Sequence, residues 1–369
     1  MQRNHSIDTI RGALLLIMTI NHFIWITVGW AGIQLITLQP FGQVGAAEGF
    51  ILVSGLMVGL IYTGADAASN KKKLLTRAKQ LYIYHLIAIL AVLTIAYCFI
   101  SFSQPANTFY SELFPGLIGN TVPTLVASFT LLHKPPYFDI LPMYVAFLLI
   151  SPLIISQLKK KRIYWVITIS VLLWLGSRYF DLSTLLTLYF AEGTINTGYF
   201  SWLAWQLIFV VGICLGYCSR HQPINWFKHP AITFLVSIIA LVLFVFQRNI
   251  FAQYGIHQGT LYELADKPLL GWLRIFNLFL LVYLFGYIIH RWPQALTFKP
   301  LALLGRHSLY VFSWHYVVIF SVAPIALGFF DFQPNITVCL VIVSLLIFVP
   351  ALIRERNKSP KPVVEKESN

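Results

Sequence analysis

The sequence predicts an all-α, polytopic membrane protein of about ten transmembrane helices with N- and C-termini in the cytoplasm. Three observations predict it. Of 369 residues, 58% are hydrophobic and only 11% charged, far below the roughly 25% charged content of soluble domains. Apolar stretches long enough to cross ~30 Å of hydrocarbon recur from Ile7 to Ile353 with short polar breaks. Lys and Arg gather in every second connection, as they do on the cytoplasmic side of membrane proteins.

The apolar runs place helices near 7–29, 43–63, 78–102, 138–157, 163–180, 200–218, 230–247, 271–290, 304–328 and 334–353. With the N-terminus inside, 21 of the 26 basic residues fall on the inner side, and only Lys134, Arg178, Arg248, Lys267 and Arg274 fall outside. One helix more or fewer would break this alternation. Residues 1–353 form one membrane domain, and 354–369 a polar tail expected to be disordered and cytoplasmic. Two long outer loops, 103–137 and 248–270, are dense in Pro, Gly, Tyr and Phe and are expected to fold over an outward-facing cavity.

Topology accounts for the net charge of +13, so no nucleic-acid partner is needed. The four cysteines, Cys98, Cys214, Cys218 and Cys339, lie within apolar runs at spacings that suit neither a metal nor a disulfide framework. No metal site is expected. The first apolar run lacks a small-residue cleavage site and is expected to remain as the first helix. No internal repeat of the kind found in many secondary carriers is visible.

A charge in the bilayer core costs roughly 2.5–3.5 kcal/mol, so intramembrane ionisable residues are candidates for function. The first helix carries Asp8, Arg11 and His22. Eleven residues at 100° each bring Arg11 and His22 onto one face, ~16 Å apart. Asp8 joins that face and can pair with Arg11 at the cytoplasmic end. Glu48 opens the second helix at a depth like that of His22, with Ser54 about a turn and a half deeper. Gly45, Ala46, Ala47, Gly49, Gly55 and Gly59 allow close approach, which would bring Glu48 to His22. His85 and His315 stand alone, and the residues by themselves mark them as packing histidines.

At these residues the chain resembles the OpgC type of membrane acyltransferase, the osmoregulated periplasmic glucan succinyltransferases of the acyltransferase-3 superfamily. Arg11 and His22 fit the superfamily's Arg and His separated by ten residues. Further matching segments follow in order: AEGFILVSGLMVGLIY at 47–62, RAKQLYIYH at 77–85, DILPMYVAFLLISP at 139–152, AWQLIFVVGICLG at 204–216, LRIFNLFLLVYL at 273–284 and LGRHSLYVFSWH at 304–315. One departure is GYFSW at 198–202, where a Phe-Asn-Pro run would be expected.

The resemblance implies an acyl-CoA donor from the cytoplasm, a glucan or related sugar acceptor from outside, and a bacterial inner membrane between them. It brings no bound cofactor. His22 is then the general base and Glu48 its partner, since a neutral imidazole suits proton removal near neutral pH and a carboxylate can orient it. An acyl-histidine intermediate stays open beside direct transfer. Asp8 and Ser54 support this centre. Arg11, Arg77, His85 and Arg306 are assigned to the donor, the arginines for the phosphates of CoA. Asp139, Trp205, Gln206, Arg274, Asn277 and His315 are assigned to the acceptor, where rings and amides suit sugar.

The acyl group, succinyl or acetyl, is left open, and so is the oligomeric state, a homo-oligomer included. A transporter or flippase for a sugar-containing substrate is the leading alternative, because buried charge fits a translocation path as well. It would require a continuous polar route through several helices. A sensor or scaffold would require no shared pocket around His22.

Overall fold

The computed structural model describes residues 4–64, 66–119, 121–180, 195–221, 225–255, 259–330, 332 and 334–357. Each of the ten apolar stretches is helical: α1 (His5–Thr27), α2 (Ala46–Tyr62), α3 (Ala67–Ile100), α4 (Ile140–Lys159), α5 (Ile163–Gly176), α6 (Trp202–His221), α7 (Pro230–Gln247), α8 (Trp272–Arg291), α9 (Ser308–Ala326) and α10 (Ile336–Arg356). Eight are long and apolar enough to cross a membrane. The other two are shorter, α2 with 17 residues and α5 with 14. At 1.5 Å per residue these reach ~26 Å and ~21 Å, short of the full hydrocarbon thickness.

Two boundaries differ from expectation. α3 runs for 34 residues and begins at Ala67, so Lys71, Lys72 and Lys73 lie on a helix and not in a loop, and Arg77 lies within the helix and not at its end. Asp66 caps it by accepting from the Ser69 N–H, which fixes the early start. The tail also begins in order: Arg354, Glu355 and Arg356 belong to the helical segment Val349–Arg356, whereas 358–369 lie outside the described residues. The loop 103–137 folds locally into short helices over Gln104–Leu113, Pro115–Gly119 and Thr121–Phe129, anchored where Tyr110 donates to the Phe320 carbonyl at 2.6 Å.

Glycines set the closest helix crossings. Gly55 and Gly59 of α2 face Gly212 and Gly216 of α6, and a Cβ at any of the four would collide with backbone of the opposite helix. Small residues permit this approach, which gains dispersion contacts that the bilayer cannot supply by hydrophobic driving force. A second crossing joins α1 to the short helix Lys299–Arg306, where Gly12 meets the Leu301 carbonyl and Gly305 meets that of Asp8.

α9 and α6 are the most enclosed spans, with 67% and 61% of their apolar windows buried, against 11% for α7. The core therefore lies among α1, α2, α4, α6 and α9. α5, α7 and α10 turn large side chains outward, among them Trp165, Leu172, Phe234, Leu241 and Leu345, as a lipid-facing shell does. The start of α1 and the end of α10 meet the same group of connections: Ser6 donates to the Pro293 carbonyl at 2.9 Å and Glu355 pairs with Arg306 at 2.9 Å. We call this the terminal face.

Candidate active site

α1 is fixed at its first turns. Asn4 accepts from the N–H groups of Ser6 and Ile7, and the Phe298 N–H donates to Thr9 at 3.1 Å. That registration settles where the two functional residues of its inner face point. Arg11 donates to Ser308 of α9 at 2.5 Å, and His22 lies beside His315 of the same helix, Nδ1 to Nε2 at 3.4 Å. One face of α1 thus runs along one face of α9, as the eleven-residue spacing requires. Asp8 is buried where α1 crosses Gly305.

Arg11 and Arg77 line a narrow cleft of about 10 Å³ together with Tyr144, Ser308, Phe50 and Phe312. The Phe50 and Phe312 rings are 5.4 Å apart, and Phe312 also packs against His315 at 5.0 Å. His22 keeps part of its surface open, whereas His315 is buried. Trp25 and Tyr137 place their rings 6.0 and 5.0 Å from that of His22. Tyr137 holds a positive φ of 72°, a strained backbone that a bulky residue rarely adopts.

Glu48 does not meet His22. Its carboxylate takes Arg274 at 2.7 Å and the Gly45 N–H at 3.1 Å, because a guanidinium outcompetes a neutral imidazole for a buried charge. Arg274 also donates to the carbonyls of Gln43, at 2.5 Å, and Ala265, at 2.9 Å. Asn277, one turn further along α8, accepts from the Gln43 N–H at 2.6 Å. These two side chains clamp the entry to α2, and the Asn277 amide nitrogen is buried beside it without a hydrogen-bond partner.

The remaining expected residues divide in the same way. Asp139 accepts from the Tyr199 N–H at 2.8 Å and anchors the segment before α6. Gln206 is bound to Ser170 of α5 by two 2.7 Å hydrogen bonds and locks α6 to α5. Trp205 donates to the carbonyls of Lys267 and Pro268 at 3.1 and 3.2 Å. Arg306 binds Glu355, with His307 on the other carboxylate oxygen at 2.9 Å, and lies outside the cleft. His85 is sealed, with its ring 6.1 Å from Phe138 and both nitrogens unpartnered, and it too is absent from the cleft. Ser54 is buried with an unpartnered hydroxyl.

Lys267 is the residue that sequence reasoning passed over. Trp205, Arg274, and Trp174 through the Leu270 carbonyl at 2.8 Å, pin its loop against the bundle. The ammonium lies 6.0 Å from the Trp25 ring and 5.8 Å from that of Phe200. It sits 3.9 Å from where a Cβ on Gly45 would stand, and a carboxylate oxygen of Glu48 lies 3.3 Å from the same point. Burial pulls its pKa below the ordinary lysine value, against the attraction of Glu48. Lys134 is a second such cation. It donates to the Thr197 carbonyl and stacks 4.4 Å over Trp202, and burial pushes it down to about 8 although Asp139 is close. The only signal for either in the sequence was its place among the five cations outside the inner-side pattern.

A bundle of this kind is a polytopic membrane protein with an internal histidine pair and an arginine-lined cleft beside it. A family model described as OpgC protein matches residues 3–359, and the chain belongs to that family. Membership suggests a transferase with an acyltransferase-type role in glucan modification. No curated protein and no solved structure matches the chain.

Proposed function

We propose that this protein is a membrane-bound O-acyltransferase that takes an acyl group from cytoplasmic acyl-CoA and places it on a hydroxyl of a periplasmic glucan or related carbohydrate. The observation that carries the reading is the alignment of two residues on one helix face: Arg11, in a cleft shared with Arg77, and His22, with surface open beside His315. The arginines suit the phosphates of CoA, and His22 suits the proton of the attacking alcohol. The terminal face is then cytoplasmic, in agreement with the excess of Lys and Arg there, and the membrane is the bacterial inner membrane. Acyl-CoA enters as a substrate, and no resident cofactor takes part.

Between succinyl and acetyl, charge balance supports succinyl. Two cations, Arg274 and Lys267, face the single carboxylate of Glu48, and Lys267 lies against the Trp25 ring that neighbours His22. An acyl group ending in a carboxylate would neutralise the excess. The contact between cleft and histidines runs through aromatic rings, which is not the continuous polar route a sugar carrier needs.

The test is mass analysis of periplasmic glycans from cells with the gene, without it, and with His22→Ala. Loss of one acyl mass in both the null and the variant is expected. An unchanged profile would remove the acyltransferase reading.

A further inference from the structure

His315 was expected to read the acceptor, but its surroundings give it another task. Its Nδ1 lies against the Phe312 carbonyl, one turn earlier on α9. A carbonyl oxygen only accepts, so Nδ1 carries the proton. A neutral imidazole has one N–H, and Nε2 is therefore a lone pair. That lone pair faces Nδ1 of His22 at 3.4 Å, and two lone pairs do not face one another across such a gap. Nδ1 of His22 must then carry its own proton, which leaves its Nε2 as the free basic atom. Hydrogen bonds in substrate-free catalytic sites are often this long and tighten on binding.

The rest of the site holds His315 in this role. Tyr316 packs on its ring at 4.0 Å and Phe312 at 5.0 Å, while burial keeps water from competing for Nε2. The carboxylate that would otherwise orient His22 is committed to Arg274.

We propose that His315 is the positioning residue of the reaction: it fixes the tautomer of His22 so that Nε2 faces the substrate. This rests on the acyl-transfer reading for its consequence. As the sugar oxygen attacks the thioester carbonyl, its proton passes to Nε2 of His22. The C–O bond forms, the C–S bond breaks, and the departing CoA sulfur takes that proton from Nε2. Nδ1–H stays on His22 throughout, donated to His315, which supports the transient imidazolium.

The experiment uses the full chain in lipid nanodiscs with succinyl-CoA and a glucan, comparing His315→Leu and His315→Gln. Fixing a histidine tautomer is worth up to ~10⁴-fold where it has been tested in a hydrolase triad. His315→Leu is expected to lower kcat at least ~100-fold with KM for the donor within about threefold. His315→Gln, whose amide oxygen still accepts from Nδ1, should recover to within about tenfold of wild type. Equal loss in Leu and Gln variants of unchanged melting temperature would overturn the proposal, as would full activity in the Leu variant. Ring 15N NMR of His22 reads the tautomer without any turnover: protonated Nδ1 in wild type supports the proposal, and protonated Nε2 overturns it. A wild type that transfers nothing yet shows protonated Nδ1 would refute the acyl-transfer reading and leave the tautomer assignment standing.

Discussion

Glu48 and Arg274 meet at 2.7 Å with essentially no solvent on either side chain. A pair this enclosed gains little over an apolar pair of the same shape, but removing one partner strands a charge and costs about 3–5 kcal/mol. Glu48→Gln and Arg274→Met should each lower the melting temperature in detergent sharply, and the double variant should lose less than the sum. Additive losses would show that the two do not depend on one another.

Lys267 gives a selectivity prediction. Charge-assisted hydrogen bonds contribute about 1.5–3 kcal/mol, or roughly 10- to 100-fold. Lys267→Met should reduce transfer from succinyl-CoA relative to acetyl-CoA by that factor, and Lys267→Arg should retain the preference. An equal fall with both donors would assign Lys267 to the structure of its loop.

How much of this was legible in the sequence follows from the physics of each part. The helices were, eight of them long and apolar enough to cross a membrane, because hydrophobic length obeys the bilayer and not the partner helices. The shared face of Arg11 and His22 was legible because both lie on one helix, where 3.6-residue periodicity fixes the face. Glu48 was recognised as costly, but its partner was misread: Arg274 is 226 positions away, and nothing local to α2 announces it. His315 was found without its neighbour for the same reason, since its ring partner is 293 positions away. Asn277 and Gln206 looked like amides for sugar, yet each satisfies polar groups of a neighbouring segment.

Lys134 gives a pH prediction with a definite sign. Its folded pKa of about 8 lies below the ordinary lysine range, so the folded chain holds this proton more weakly than the unfolded chain. Raising the pH from about 8 toward that range therefore stabilises the fold through this group, while it removes the charge over Trp202. If that charge serves transfer, activity should fall above pH 8 with no loss of melting temperature, and Lys134→Arg should abolish the decline. Parallel loss of activity and stability would trace the pH effect to another group.

The crossing of α2 and α6 predicts a steric threshold. A Cβ on Gly55 runs into the Phe209 carbonyl, and one on Gly216 into that of Leu56. Overpacking of this sort costs about 1–3 kcal/mol per site. Gly55→Val and Gly216→Val should each reduce the folded fraction recovered from membranes. Gly176→Ala, with nothing near its side, should not. Normal recovery of both Val variants would mean that the helices do not cross this closely.

The rings of Phe50 and Phe312, one flank of the arginine-lined cleft, carry a consequence for the cell as a whole. Where aromatic walls stand in place of a file of polar groups, water does not thread and ions do not follow it. A membrane crowded with copies of this protein would then still hold its ion gradients.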